Sequence, residues 1–200
     1  MNRDIVIVYH SGYGHTQKVA EAVAKGSRGT LLAIGAEGNL PEGGWEQLAA
    51  ADAIVFGAPT YMGGASWQFK KFADASSKPW YVKAWRNKLA AGFTNSATLN
   101  GDKFSTLQYF ITLSQQHGML WAGMGMHAAN AKASTRDDVN HLGGYAGLLA
   151  TTPSDASVDE MVAGDLATAV KFGERVAEAA ALLVPRLQED PIHVLQGEPA

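Results

Sequence analysis

From Ile5 to Tyr9 the chain reads Ile-Val-Ile-Val-Tyr with no polar interruption, the pattern of a strand covered on both faces of a parallel sheet. A polar, glycine-containing turn over 10–15 leads into a segment with apolar residues at Val19, Ala20, Ala22 and Val23. That spacing predicts a helix with Thr16 as its N-cap. Further strands are predicted at 30–34, at 53–57 ending on Ala58-Pro59, and at 89–94, with a fifth opening at Met119-Leu120-Trp121. Helices are predicted over 66–75 and 104–116. A last helix starts at the capping-box pair Ser157 and Glu160 and runs to about Val184, before Pro185. Residues 122–157, rich in Gly, Ala and Asn, show little periodicity and predict a long functional or partner-packed loop. Strands alternating with helices predict an α/β, doubly wound parallel sheet with helices on both faces, in one domain over 1–187. The polar residues 188–200 are expected to form a flexible tail.

Composition narrows the function. Charged residues are 18% of 200 and hydrophobic ones 46%, which predicts a real core and apolar surface suited to burial between subunits. The net charge of −3 argues against binding nucleic acid. The absence of cysteine excludes disulfides, thiolate metal sites and thiol nucleophiles. No apolar stretch reaches the roughly 20 residues of a membrane span, and no signal-peptide pattern follows Asp4, so a cytoplasmic location is expected.

In doubly wound sheets, ligands bind outside the carboxyl ends of the strands, where the loops after the first, third and fourth strands would converge. The first, Ser11-Gly12-Tyr13-Gly14-His15-Thr16, joins two glycines, two hydroxyls and a helix start into a cradle for one phosphate. It lacks the lysine of a nucleoside-triphosphate loop and the third glycine of the dinucleotide fingerprint, with Lys18 near that position. The second, Pro59-Thr60-Tyr61-Met62-Gly63, offers an aromatic ring and a thioether to a flat heterocycle. The third, Thr94-Asn95-Ser96-Ala97-Thr98-Leu99-Asn100-Gly101, offers small donors and acceptors. A planar heterocycle with a phosphate tail suits all three. His10 and His15 have no evident further ligand, so no metal is expected.

The segments SGYGHT, GAPTYMGG, KLAAGFTNSATLNG and QQHGM, in that order, resemble the flavodoxin-like, FMN-binding NAD(P)H:quinone oxidoreductases of the WrbA type, over roughly 4–182. The resemblance implies a flavodoxin-like five-stranded sheet of order 2-1-3-4-5, non-covalent FMN, NADH or NADPH as reductant, a quinone as acceptor and a homo-oligomer, dimer or tetramer. Carried over by position, it implies cofactor contacts from Ser11, Gly12, Tyr13, Gly14, His15 and Thr16, from Pro59, Thr60, Tyr61, Met62 and Gly63, and from Thr94, Asn95, Ser96, Ala97, Thr98 and Leu99. It further implies a catalytic and cofactor-facing His117 reaching a neighbouring subunit's site, and substrate contacts from Tyr13 and Trp80. The chain departs from the family at Tyr61, where arginine is usual, in a less glycine-rich third loop, and in having only Gly143-Gly144-Tyr145 where the family has a fuller turn. Rival readings are an electron-carrier flavodoxin, a flavin-free scaffold, and an FMN reductase or azoreductase. Lys70, Lys71 and Lys78 after the second loop, with the low net charge, point away from the carrier.

Overall fold

The computed structural model describes residues 3–189. Its centre is a parallel ladder of β1 (Ile5–Tyr9), β3 (Ala53–Tyr61) and β5 (Leu89–Ser96), with β2 (Thr30–Ala33) flanking β1. The all-apolar run of β1 divides by the period-2 rule. Ile5, Ile7 and Tyr9 pack with α1 (His15–Ser27) and α6 (Ala163–Glu189), while Val6 and Val8 pack with α2 (Gly44–Ala50), α3 (Trp67–Ala75) and α5 (Lys103–Gln116). Both faces are thus covered, which is why no polar residue interrupts the strand. The second face is largely aromatic: Phe56, Phe69, Phe72, Trp85 and Phe110 are fully buried and meet at ring-centroid distances of 4.6–6.4 Å.

The expected lane order holds, with two elaborations. The two-residue strand β4 (Gly64–Ala65) turns back antiparallel onto the end of β3. The fifth lane is filled twice: β6 (Leu120–Trp121) pairs with Leu89 and Ala90, and β7 (Leu148–Thr151) pairs with Phe93 to Ser96. Residues 122–147 leave the lane and return to it. The exit and return are stitched by Trp121 Nε1 donating to the Ala146 carbonyl at 2.7 Å and by the Met124 amide donating to the Tyr145 carbonyl at 2.9 Å. A Cβ on Gly147 would stand 2.5 Å from the Gly92 carbonyl oxygen, so only glycine lets the chain re-enter there. Asn140, buried and left-handed at φ 54°, anchors the excursion: its amide donates to Thr168 Oγ1 at 2.8 Å and its side chain to the Gly144 carbonyl at 3.2 Å.

Several boundaries differ from expectation. α2 and the five-residue helix α4 (Ser77–Tyr81) fall in stretches without a helical pattern. The capping box of Ser157 and Glu160 forms, but it caps a 3₁₀ turn over Val158–Glu160, and α6 starts afresh at Ala163 and continues through Pro185 to Glu189. β7 lies inside the segment expected to be a loop. The tail expected from residue 188 lies, from 190 onward, outside the described residues. Among the described residues no helix is long and apolar enough to cross a membrane.

α1 and α6 cross with backbone against backbone. A Cβ on Gly26 would lie 1.9 Å from the Val170 carbonyl oxygen, and one on Gly173 would lie 2.2 Å from that of Val23. Alanine in a helix ordinarily gains up to about 1 kcal/mol over glycine. Here the sign inverts: Gly26→Ala and Gly173→Ala are each expected to destabilise by roughly 1–3 kcal/mol, because main chain must move. Urea unfolding of the two variants checks this, and an unchanged or raised midpoint would contradict the crossing.

Candidate functional site

β3 and β5 run on past the end of β1, and the first loop with the start of α1 sits in the recess this creates. The loop is ordered by Ser11, whose Oγ accepts the amides of Gly14 and Gln17, both at 3.1 Å. This serine takes over the capping expected of Thr16, which lies inside the helix and is buried; the N-cap position is Gly14, at φ 88°. Gly14 is required twice, by its left-handed backbone and because a Cβ would meet Val158 Cγ1 at 2.9 Å. With the Gln17 amide taken, the first-turn amides of His15 and Thr16 remain as helix-start donors, backed by the positive end of the helix dipole.

A cavity of about 320 Å³ opens here, lined by Tyr13, His15, Thr16, Pro59, Thr60, Tyr61, Asn95, Ser96, Ala97, Thr152 and Ser154. The lining holds hydroxyls, amides, two phenol rings and the His15 imidazole, and no carboxylate, lysine or arginine. The rings of Tyr13 and Tyr61 meet edge to face at 6.3 Å and 74°, and Tyr61 leans across the first loop so that a Cβ on Gly12 would stand 2.7 Å from its Oη. Burial, with Tyr13 adding to it, pushes the Tyr61 phenol up, so it stays a neutral donor. Beneath the cavity Thr60 Oγ1 lies 2.8 Å from both Thr94 Oγ1 and Thr106 Oγ1, a buried hydroxyl cluster joining β3, β5 and α5. On the far wall Thr152 Oγ1 donates to Asn95 Oδ1 at 3.0 Å, and Ala156 O lies 2.9 Å from His15 Nε2.

The structure therefore brings all three expected loops to one rim, and nine of the expected contact residues line the cavity. Ser11, Gly12 and Gly14 belong to the loop beside it, Thr94 sits under Thr60, Met62 and Leu99 are exposed outside the lining, and Gly63 and Thr98 lie in the flanking turns. Thr152 and Ser154 were not expected. Their signal is the grammar of the other rims, a short apolar strand followed by hydroxyls: Leu148-Leu149-Ala150, then Thr151-Thr152-Pro153-Ser154.

His117 and Trp80 are placed elsewhere. α5 has 14 residues, begins at the rim and ends at His117, about 20 Å away along its axis. The His117 ring is 5% exposed, stacks on Trp85 at 4.1 Å, and its Nε2 pairs with Ser76 Oγ at 2.9 Å. With Trp80 it lines a separate cavity beside Lys83 and Arg86. Within one chain neither reaches the rim cavity. His10 does a similar structural job at the other end of α3: its Nδ1 pairs with Ser66 Oγ at 2.8 Å, so a buried histidine grips the serine at each end of that helix. His10 and His15 thus have separate partners, and among the described residues no cluster of three metal-ligating side chains exists.

A flavodoxin-domain profile matches residues 6–116. A flavodoxin from Pseudomonas aeruginosa, FldP, is 51% identical over 86% of this chain and 94% of its own length. An NAD(P)H dehydrogenase (quinone) from Geotalea uraniireducens is 33% identical over 90% of this chain and 98% of its own. The crystal structure of a flavodoxin, WrbA-like protein from Agrobacterium tumefaciens superposes with a TM-score of 0.76 at 52% identity, covering 90% of this chain and 99% of that one.

Burial holds the His117 imidazole down at about 4, against 6.5 in a free chain. Between those values the unfolded chain binds the extra proton, so stability present above pH 6.5 is lost as pH falls toward 4, by up to about 3 kcal/mol. Denaturant unfolding from pH 7 to 4 is expected to show this slope, and His117→Gln to flatten it. An equal slope in both proteins would sink the assignment.

Proposed function

The chain belongs to the flavodoxin domain family, in its WrbA-like branch, and from that premise we propose that it binds FMN non-covalently in the rim cavity and moves an electron pair from NADH or NADPH to a quinone. The residues present fit the group. A glycine-shaped loop, helix-start amides and the Thr16 hydroxyl suit a phosphate, while Tyr13 and Tyr61 suit a flat ring and Asn95, Ser96 and Thr152 its polar edge. FMN, when bound, supplies the hydride chemistry, so that NAD(P)H, a proton and a quinone give NAD(P)⁺ and a hydroquinone. The protein's part is to bind, orient and keep water out. Ser11 holds the phosphate loop in its binding shape, the threonine cluster fixes the ends of β3 and β5, and no side chain is needed as nucleophile or base.

One observation carries the two-electron reading over an electron carrier. The lining has no carboxylate, lysine or arginine, and it carries the exposed rings of Tyr13 and Tyr61. Such a lining suits an apolar planar acceptor, whereas a carrier docks protein partners by steering charge. The carrier reading is favoured by the name of the 51% identical relative, a flavodoxin.

Protein purified with its cofactor is expected to release FMN on heating and to oxidise NADH or NADPH with benzoquinone. A flavin-loaded protein that dithionite reduces, but that oxidises neither nucleotide with benzoquinone and passes electrons to cytochrome c, would establish the carrier instead. Parallel assays with an azo dye and free FMN as acceptors separate the azoreductase and FMN-reductase readings. Ser11→Ala removes the oxygen that holds two loop amides and is expected to weaken FMN binding roughly 5- to 30-fold, or about 1–2 kcal/mol, read by flavin fluorescence titration.

A further inference from the structure

Behind the third wall of the cavity lies a buried group of charges that binding and electron transfer, as derived above, leave unused. Lys103, at the start of α5, is 1% exposed. Its ammonium donates to the carbonyl of Thr98 and, at 3.0 Å, to that of Leu99. Asp165, buried in the first turn of α6, accepts Arg136 Nη2 and the Thr151 amide on one oxygen, each at 2.8 Å. Arg136 comes from the 122–147 excursion, so three separate parts of the chain converge behind one loop.

Two consequences follow from this geometry. A trans peptide points its carbonyl and its amide in opposite directions. Drawing the Thr98 and Leu99 carbonyls inward therefore turns the Leu99 and Asn100 amides outward on the loop that borders the cavity. The same network pins Thr151, whose neighbour Thr152 donates from its backbone to the Ser96 carbonyl at 3.1 Å, so both the β5 and β7 walls are set by it. The second consequence is charge. Two cations and one carboxylate make a net positive group next to a lining with no carboxylate, lysine or arginine.

We propose that Lys103, bonded to the Thr98 and Leu99 carbonyls, is a positioning residue for the bound cofactor that turns the 98–100 peptides outward and, through its enclosed charge, favours the reduced, more negative form of the flavin ring. The inference rests on the FMN reading. Burial pushes the Lys103 ammonium down to about 8, with Asp165 pulling it back up and Arg136 adding to the depression. Those two, from α6 and the excursion, are the charged groups acting on it.

The experiment is to load wild type, Lys103→Met, Lys103→Arg and Asp165→Asn with FMN and measure the dissociation constant and the two-electron midpoint potential from pH 6.5 to 9.5. Lys103→Met is expected to lose about tenfold in affinity for reduced over oxidised FMN, a fall of about 30 mV in potential. It is also expected to lose an inflection that wild type shows near pH 8. Lys103→Arg should keep the wild-type potential at pH 7, and Asp165→Asn should raise it. A Lys103→Met protein that binds FMN with wild-type potential and the same inflection overturns the proposal. If that variant does not fold, an unchanged or lowered potential in Asp165→Asn overturns it. Failure of wild type to bind FMN at all would instead remove the cofactor reading, and this inference with it.

Discussion

The in-register parallel pairing of β1, β3 and β5 is the constraint from which the site follows. Ile5, Ala53 and Leu89 stand abreast at one end, and Tyr9, Gly57 and Phe93 four residues on. Parallel strands that start level must deliver their following loops to the same edge, and their unequal lengths do the rest. β1 stops at Tyr9 while β3 reaches Tyr61 and β5 reaches Ser96, so the longer strands stand as walls over the place where the first loop turns into α1. The recess is thus a product of main-chain hydrogen bonding, and consecutive residues at the two strand ends, Pro59 to Tyr61 and Asn95 to Ala97, line it. Shape comes from the ladder, and chemistry from which residues happen to lie at its end.

This division explains what could be read from the chain and what could not. Strands buried on both faces leave an unbroken apolar run, so Ile5–Tyr9 and Ala53–Gly57 were visible without ambiguity, and with them two of the three rim loops, while the lane order came from the family resemblance. The third loop was visible through its hydroxyls. Two features depended instead on contacts between distant parts. Leu148–Thr151 is a four-residue strand whose position is set by pairing with β5 and by the close approach at Gly147, neither of which leaves a local pattern. The 3₁₀ turn after Ser157 satisfied every local rule for a helix start, yet the helix begins later, at Ala163. His117 shows a related limit for the site: the resemblance gave it a role in a neighbouring subunit's site, and within one chain it packs between Trp85 and Ser76, away from the rim.

Polar groups in this protein are sorted by depth. At the cavity surface they are hydroxyls, amides, phenols and one imidazole, which can meet an anion and a flat ring without a competing carboxylate. One layer behind, Lys103, Arg136 and Asp165 hold that surface in place. At both ends of α3, histidines kept neutral by burial share hydrogen bonds with Ser66 and Ser76, so the helix that follows the second loop is fixed at its start and its finish. The arrangement keeps long-range fields away from the opening while leaving a fixed polarity inside it.

The doubled fifth lane has a bearing on solubility. A sheet exposes unpaired amides and carbonyls along its outermost strands, and a long, straight, apolar border of that kind recruits other chains. Here that border is broken into pieces of two and four residues with a 26-residue detour between them, and the opposite border is a strand of four. Neither offers the unbroken length that amyloid-like stacking requires, so a chain with 46% hydrophobic residues keeps its sheet from growing beyond itself.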